Sequence, residues 1–172
     1  MMAGTAARTE EFEAAYADLF PRAATLAYRL LGNRTAAEDV AAEALARAYA
    51  RWHKISKLAY RDAWVLRVAT NLAIDATRRR VPEVHAQEPL DSTEAAIVRL
   101  ALVNALRTLP RRQRQAVALR YLSGFREAEV AEALGVSAGT ASAHVRRGLD
   151  GLRTRLGKDF REDVFVGEPN QA

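Results

Sequence analysis

The chain has 172 residues, 49% hydrophobic and 27% charged, which suffices for one medium domain or two small ones. It contains no cysteine, which excludes disulfides, thiol nucleophiles and cysteine-based zinc or redox sites. Lysine and arginine total 26 against 21 acidic residues, and the formal net charge of +5 suits a polyanionic partner without specifying one. No apolar stretch reaches the ~20 residues that span a bilayer. The start, with Glu10, Glu11 and Glu13, lacks the basic-then-apolar pattern of a secretion signal, so the expectation is a soluble, cytoplasmic protein.

Alanine, leucine, arginine and glutamate dominate while glycine and proline are sparse, which points to an all-α chain. From Glu10 to Leu31, Phe12, Tyr16, Leu19, Phe20, Ala23, Leu26, Ala27 and Leu30 recur at helical spacing, and Gly32-Asn33 reads as the stop. Pro21 falls inside this helix and is expected to bend or break it. Thr35 with Glu38 suggests a capping box for a second helix, whose apolar stripe is Val40, Ala44, Leu45, Ala48, Tyr49 and Trp52. After a lysine-rich connection, Trp64, Val65, Val68, Ala69, Leu72 and Ala76 set a third stripe that ends in Arg78-Arg79-Arg80.

The next stretch, VPEVHAQEPLD, carries two prolines and no periodicity and reads as a flexible linker. Beyond it, Val98, Ala101, Leu102, Ala105, Leu106 and Leu109 share one face, followed by Pro110 and a basic helix reaching Leu122. A further helix runs to Leu134, Gly135 makes a tight turn, Ser137 caps, and a last helix extends from Ala138 to about Leu156. The expected organisation is two small helical domains, residues 10–80 and 95–157, with a linker at 81–94 and a tail at 158–172.

Short turn and apolar pattern together make the last two helices a DNA-binding helix-turn-helix. At about 100° per residue, Ala141, Val145, Leu149, Leu152 and Leu156 fall on one side and Ala143, Arg146, Arg147 and Asp150 on the other. Small residues at the helix start, among them Thr140, Ser142 and Ala143, permit close approach to a groove, with Arg146 and Arg147 one turn later to meet bases or phosphates. In the first domain, Asp39 and Glu43, flanked by Ala46 and Ala50, form an acidic strip suited to a basic helical partner. The outward face of the third helix is expected to carry Arg67, Thr70, Asn71, Ile74, Thr77 and Arg78, a mixture suited to unstacked bases and their backbone. Trp52, Tyr60 and Trp64 flank the loop before it, where aromatic rings can replace the stacking lost when a duplex opens, but core packing is the favoured reading of each ring. No nucleophile–base pair, phosphate loop or histidine–carboxylate cluster is present, so neither an enzyme nor a bound cofactor or metal is expected.

The stretch ALRTLPRRQRQAVALRYLSGFREAEVAEALGVSAGTASAHVRRGLDGLRTRL resembles region 4 of the bacterial sigma-70 family, the promoter-recognition subunits of RNA polymerase. It departs from the family pattern at Ser142, where a basic residue is usual, and at His144, where an arginine is. AAEDVAAEALARAYARW and DAWVLRVATNLAIDATRRR resemble region 2, and the short chain resembles the extracytoplasmic-function group. The resemblance implies that Asp39 and Glu43 dock on the clamp helices of the polymerase β′ subunit. It also implies that Asn71 meets a flipped minus-ten base, with the loop from Lys54 to Arg61, including Ile55 and Lys57, forming the pocket around it. Region 4 would read the minus-35 element through the helix bearing Thr140, Ser142, Ala143, Arg146 and Arg147, and would meet the β flap. Core polymerase and promoter DNA are the implied partners, an anti-sigma factor is a further candidate, and no small-molecule substrate is called for. The residues alone leave open a conventional helix-turn-helix regulator that acts as a dimer without polymerase.

Overall fold

The computed structural model describes residues 3–79 and 93–157, and every element among them is helical. The expected linker lies outside the described residues up to position 92, and the tail at 158–172 lies outside them entirely. The first lobe comprises α1 (Ala3–Leu31), α2 (Arg34–Ala50), the single turn α3 (Trp52–Ile55) and α4 (Arg61–Arg79). The second comprises α5 (Thr93–Thr108), α6 (Arg111–Val117) running into a π turn (Ala118–Leu122), α7 (Glu127–Leu134) and α8 (Ala138–Leu156).

In α1, Leu19, Ala23, Leu26, Ala27 and Leu30 are buried, the stripe that a 3.6-residue period requires. Pro21 does not break the helix, and α1 is continuous through it. Proline removes the hydrogen bond to the carbonyl four residues earlier. That carbonyl belongs to Ala17, which is exposed, so water can replace the lost donor. The capping-box expectation for α2 is also corrected. Asn33 is the N-cap, its side chain accepting from the Ala36 N–H at 2.8 Å, while Glu38 pairs with Arg34 at 3.0 Å. An asparagine placed directly after Gly32 (φ +62) caps the helix two residues before Thr35 can.

Trp52 is fully buried, and Ile55 beside it is 3% exposed. Arg22 of α1 reaches Asp62 at the start of α4 at 2.8 Å and Asp18 at 2.9 Å. Burial works against the Arg22 cation, but the two carboxylates outweigh it and raise its pKa above the ordinary arginine value.

In the second lobe, Pro110 precedes α6, where its missing N–H costs no helical bond. At the π turn, Ser123 N–H donates to the Ala118 carbonyl at 3.1 Å, five residues back, and Gly124 (φ +74) then turns the chain toward α7. Gly135, at φ +64, is the left-handed residue that closes α7, as its place in the sequence predicts. The Ser137 hydroxyl accepts from Thr140 N–H at 3.2 Å and caps α8. Val98 departs from the expected buried face of α5 and is 45% exposed, close to the exposed Ile97 and Leu100. α8 crosses α6 closely at Gly148, where a Cβ would lie 2.5 Å from Val117 Cγ2. The buried apolar residues of both lobes join in one continuous cluster, from Leu19 through Ile74 and Leu102 to Leu152.

Candidate nucleic-acid interface

The final helix divides as its sequence pattern requires. Ala141, Val145, Leu149 and Leu152 are buried, whereas Thr140, Arg146, Arg147 and Asp150 are exposed. α7 packs across α8, and the Ser142 hydroxyl donates to Glu127 Oε2 at 3.0 Å, holding the start of α8 to the start of α7. Ala143 is half-buried, so the open strip begins at the helix N-terminus and continues through Arg146 and Arg147. The Arg126 N–H donates to the Glu129 carboxylate at 2.7 Å, and this backbone bond holds the Glu129 carboxyl below the usual carboxylate range.

On α2, Asp39, Glu43, Ala46 and Ala50 are all exposed along one side, and Glu43 pairs with Arg47 at 2.7 Å. A strip of two carboxylates with small neighbours lets a basic helix approach closely.

The third set requires correction. Lys54 and Lys57 are exposed, but Ile55 lies in the core beneath them because α3 turns its apolar residues inward beside Trp52. Thr70 and Ile74, expected to face outward on α4, are each 1% exposed. The Thr70 hydroxyl donates to the Leu66 carbonyl of its own helix at 2.8 Å, which satisfies it without water. Arg67 is half-buried, and its Nη1 donates to the Ala133 carbonyl at the end of α7, in the other lobe, at 3.0 Å. Desolvation, with the neighbouring Arg112 and Arg111 cations, lowers the Arg67 pKa below its ordinary value. Asn71 and Thr77 are half-exposed beside this covered strip, and the side chain of Arg78 lies outside the described residues.

Sequence reasoning did not single out Arg29, Arg99 and Arg112. Arg29 of α1 donates to the Leu122 carbonyl at 3.1 Å, Arg112 donates to the Leu134 carbonyl at 3.0 Å, and the Arg99 guanidinium packs against Gly32. The carbonyls that Arg29 and Arg112 meet lie 93 and 22 residues away in the chain, which no spacing rule reveals.

One helical lobe thus presents an exposed acidic strip and the other an open helix-turn-helix, the arrangement of a DNA-binding protein. Two family descriptions match the chain: Sigma-70 region 2 over residues 15–82 and Sigma-70, region 4 over residues 99–150. The ECF RNA polymerase sigma factor SigW of Bacillus subtilis is 31% identical over 151 residues, covering 76% of this chain and 81% of that protein. The RNA polymerase sigma-E factor of Streptomyces coelicolor is 36% identical over 136 residues, covering 76% and 77%. The sigma factor RpoE from Bartonella quintana, solved in complex with the anti-sigma factor NepR, shares the fold, with a TM-score of 0.55 at 22% identity over 88% of this chain and 99% of that one. The chain belongs to the sigma-70 family, in its extracytoplasmic-function group, and is an RNA polymerase sigma factor that acts in promoter recognition. Among the described residues, no helix is long and apolar enough to cross a membrane, and no group of three histidines or carboxylates is placed to hold a metal.

Proposed function

We propose that this chain binds core RNA polymerase and, held by it, divides promoter recognition between its lobes. Thr140, Ser142, Ala143, Arg146 and Arg147 on α8 read the minus-35 duplex. Asn71, with Lys54, Lys57, Arg67 and Arg78 around it, captures the melted minus-ten strand. Asp39, Glu43, Ala46 and Ala50 dock on the β′ clamp helices, and the second lobe meets the β flap. The observation that carries this reading is the placement of an exposed arginine-bearing helix and an exposed acidic strip on separate lobes of one chain. Holding both lobes on one large partner makes the second DNA contact effectively intramolecular, so two weak contacts combine into a strong one.

Opening the duplex costs stacking of ~1.4 kcal/mol per base-pair step, and capture of the unpaired strand offsets part of it. The chain performs no covalent chemistry, since polymerisation belongs to the core, and it works in the cytoplasm where the core is. An anti-sigma factor is a further expected partner, in keeping with the complex formed by the Bartonella quintana protein. The test is promoter-specific transcript made by purified core with and without this chain. Strong stimulation is expected. Equal output, or tight duplex binding by dimers of the chain without polymerase, overturns the reading.

A further inference from the structure

The first two turns of α5 stand clear of the lobe they begin. Residues 94–98 are all exposed, and so is Leu100. Of the large apolar side chains among the described residues, Ile97 at 63% and Leu100 at 60% are the most exposed, with Val98 at 45% beside them. At about 100° per residue these three spread over roughly 160° of the helix. Between positions 94 and 101 only Glu94 and Arg99 are polar, and the Arg99 guanidinium packs against Gly32. Helical turns that are apolar on most sides are ordinarily buried, and nothing in the promoter-reading surfaces uses these.

α8 leads the chain back to this place. A Cβ at Gly148 would meet Val117 and Gln113 of α6, and one at Gly151 would meet Leu109 just past the end of α5, so successive turns of α8 cross α6 and then come onto α5. Leu156 is half-buried against the core, and Gly157 (φ +98) turns the chain out of the helix. The sequence continues through residues 158–172, which lie outside the described part. Extended at ~3.3 Å per residue, positions 158–166 alone reach ~30 Å, whereas a 16-residue helix such as α5 is ~24 Å long. They carry Phe160 and the run Val164, Phe165 and Val166, an apolar set that no promoter-reading surface employs. Asp159, Glu162 and Asp163 alternate with these and suit a surface that carries Arg107, Arg153 and Arg155.

We infer that residues 158–166 fold back on the start of α5 and cover Ile97, Val98 and Leu100, which makes the tail a working part of the second lobe. A second copy of the chain fits this patch less well, because three side chains fall far short of the ~800 Å² per partner that a stable dimer buries. A tethered segment needs no such area, since a link of a few residues holds it at an effective concentration in the millimolar range. Neither polymerase nor DNA enters this contact. Any protein that uses the start of α5 must first displace the tail.

The test uses the full chain, which has no cysteine of its own. A single thiol is introduced by Ala96→Cys, among the exposed turns of α5, and a reference thiol by Ala42→Cys on α2, also exposed. Alkylation by iodoacetamide is timed in the otherwise unchanged chain, in Phe160→Ser with Phe165→Ser, and in a chain ended after Gly157. Covering for about nine-tenths of the time predicts alkylation about tenfold faster at position 96 in both tail variants, because the rate follows the uncovered fraction, with position 42 unchanged. The serine pair keeps every charge of the tail, so altered thiol ionisation cannot imitate uncovering, and either variant serves if the other fails to fold. Equal rates at position 96 in all three chains overturn the inference. So does protection that grows with protein concentration, the mark of a second copy. Protection lost only in Val84→Ser with Leu90→Ser overturns it too, because residues 81–92 are then the cover.

Discussion

The two proposed DNA surfaces sit on helices of equal length, 19 residues each, yet α8 leaves its outer side open and α4 buries part of the face assigned to it. α8 lies at the edge of its lobe and buries a single stripe, so its opposite side is left to solvent. α4 is packed by α1 and α2 on one side and touched by the second lobe on another, so that Thr70 and Ile74 are buried while Arg67, Asn71 and Thr77 are half-exposed. A recognition surface for intact duplex can be left exposed at all times, because it needs no rearrangement of the DNA.

The largest expected effect breaks the first lobe and asks whether the second still works. Trp52→Ala removes a fully buried indole and should cost about 3–5 kcal/mol of stability, read by denaturant unfolding. Duplex binding through α8 should outlast strand binding in this variant. Replacing Asp39 and Glu43 with lysine should weaken core binding by about 2–5 kcal/mol, measured by fluorescence titration of labelled chain with core. Because both residues are exposed, unfolding should shift by no more than about 0.5 kcal/mol. Arg146→Ala should weaken minus-35 duplex binding by about 1–3 kcal/mol in an anisotropy assay and lower its salt dependence, with strand binding unchanged.

The smallest effect concerns the cap of α7. Glu129 has a depressed pKa in the folded chain, so its contribution is present above the unfolded carboxylate value and is lost as pH falls through the lower folded one. Glu129→Gln should therefore lower the melting temperature slightly near neutral pH. The difference from the wild type should vanish in acid, and a constant difference across pH would contradict the assignment.

The contrast between the two helices also explains what the sequence made legible. The apolar stripe of α8, the Gly135 turn and the Ser137 cap are all set by neighbours within a few residues, and each was expected where it occurs. The exposed side of α2 followed from the same local periodicity. For α4 the pattern misled, because threonine and isoleucine at positions 70 and 74 read as a mixed surface when only one packing side is assumed. Thr70 hides its polarity by bonding to its own helix, and Arg67 finds a carbonyl 66 residues away. Ile55 misled similarly, as two flanking lysines concealed a residue that points into the core. The π turn at Ala118–Leu122 left no residue signature that periodicity could detect.

The proposed division of labour gives reading of intact duplex and holding of melted strand to separate lobes, joined only on polymerase. Its most direct test maps, on one promoter fragment, both backbone protection at minus-35 and permanganate reactivity of unpaired thymines near minus-ten, with core and either wild-type chain or Asn71→Ala. Wild type should give both signals and Asn71→Ala should keep the minus-35 protection while losing most of the thymine reactivity. If both signals fall together in Asn71→Ala, or the chain without core opens the fragment, the division of labour is contradicted.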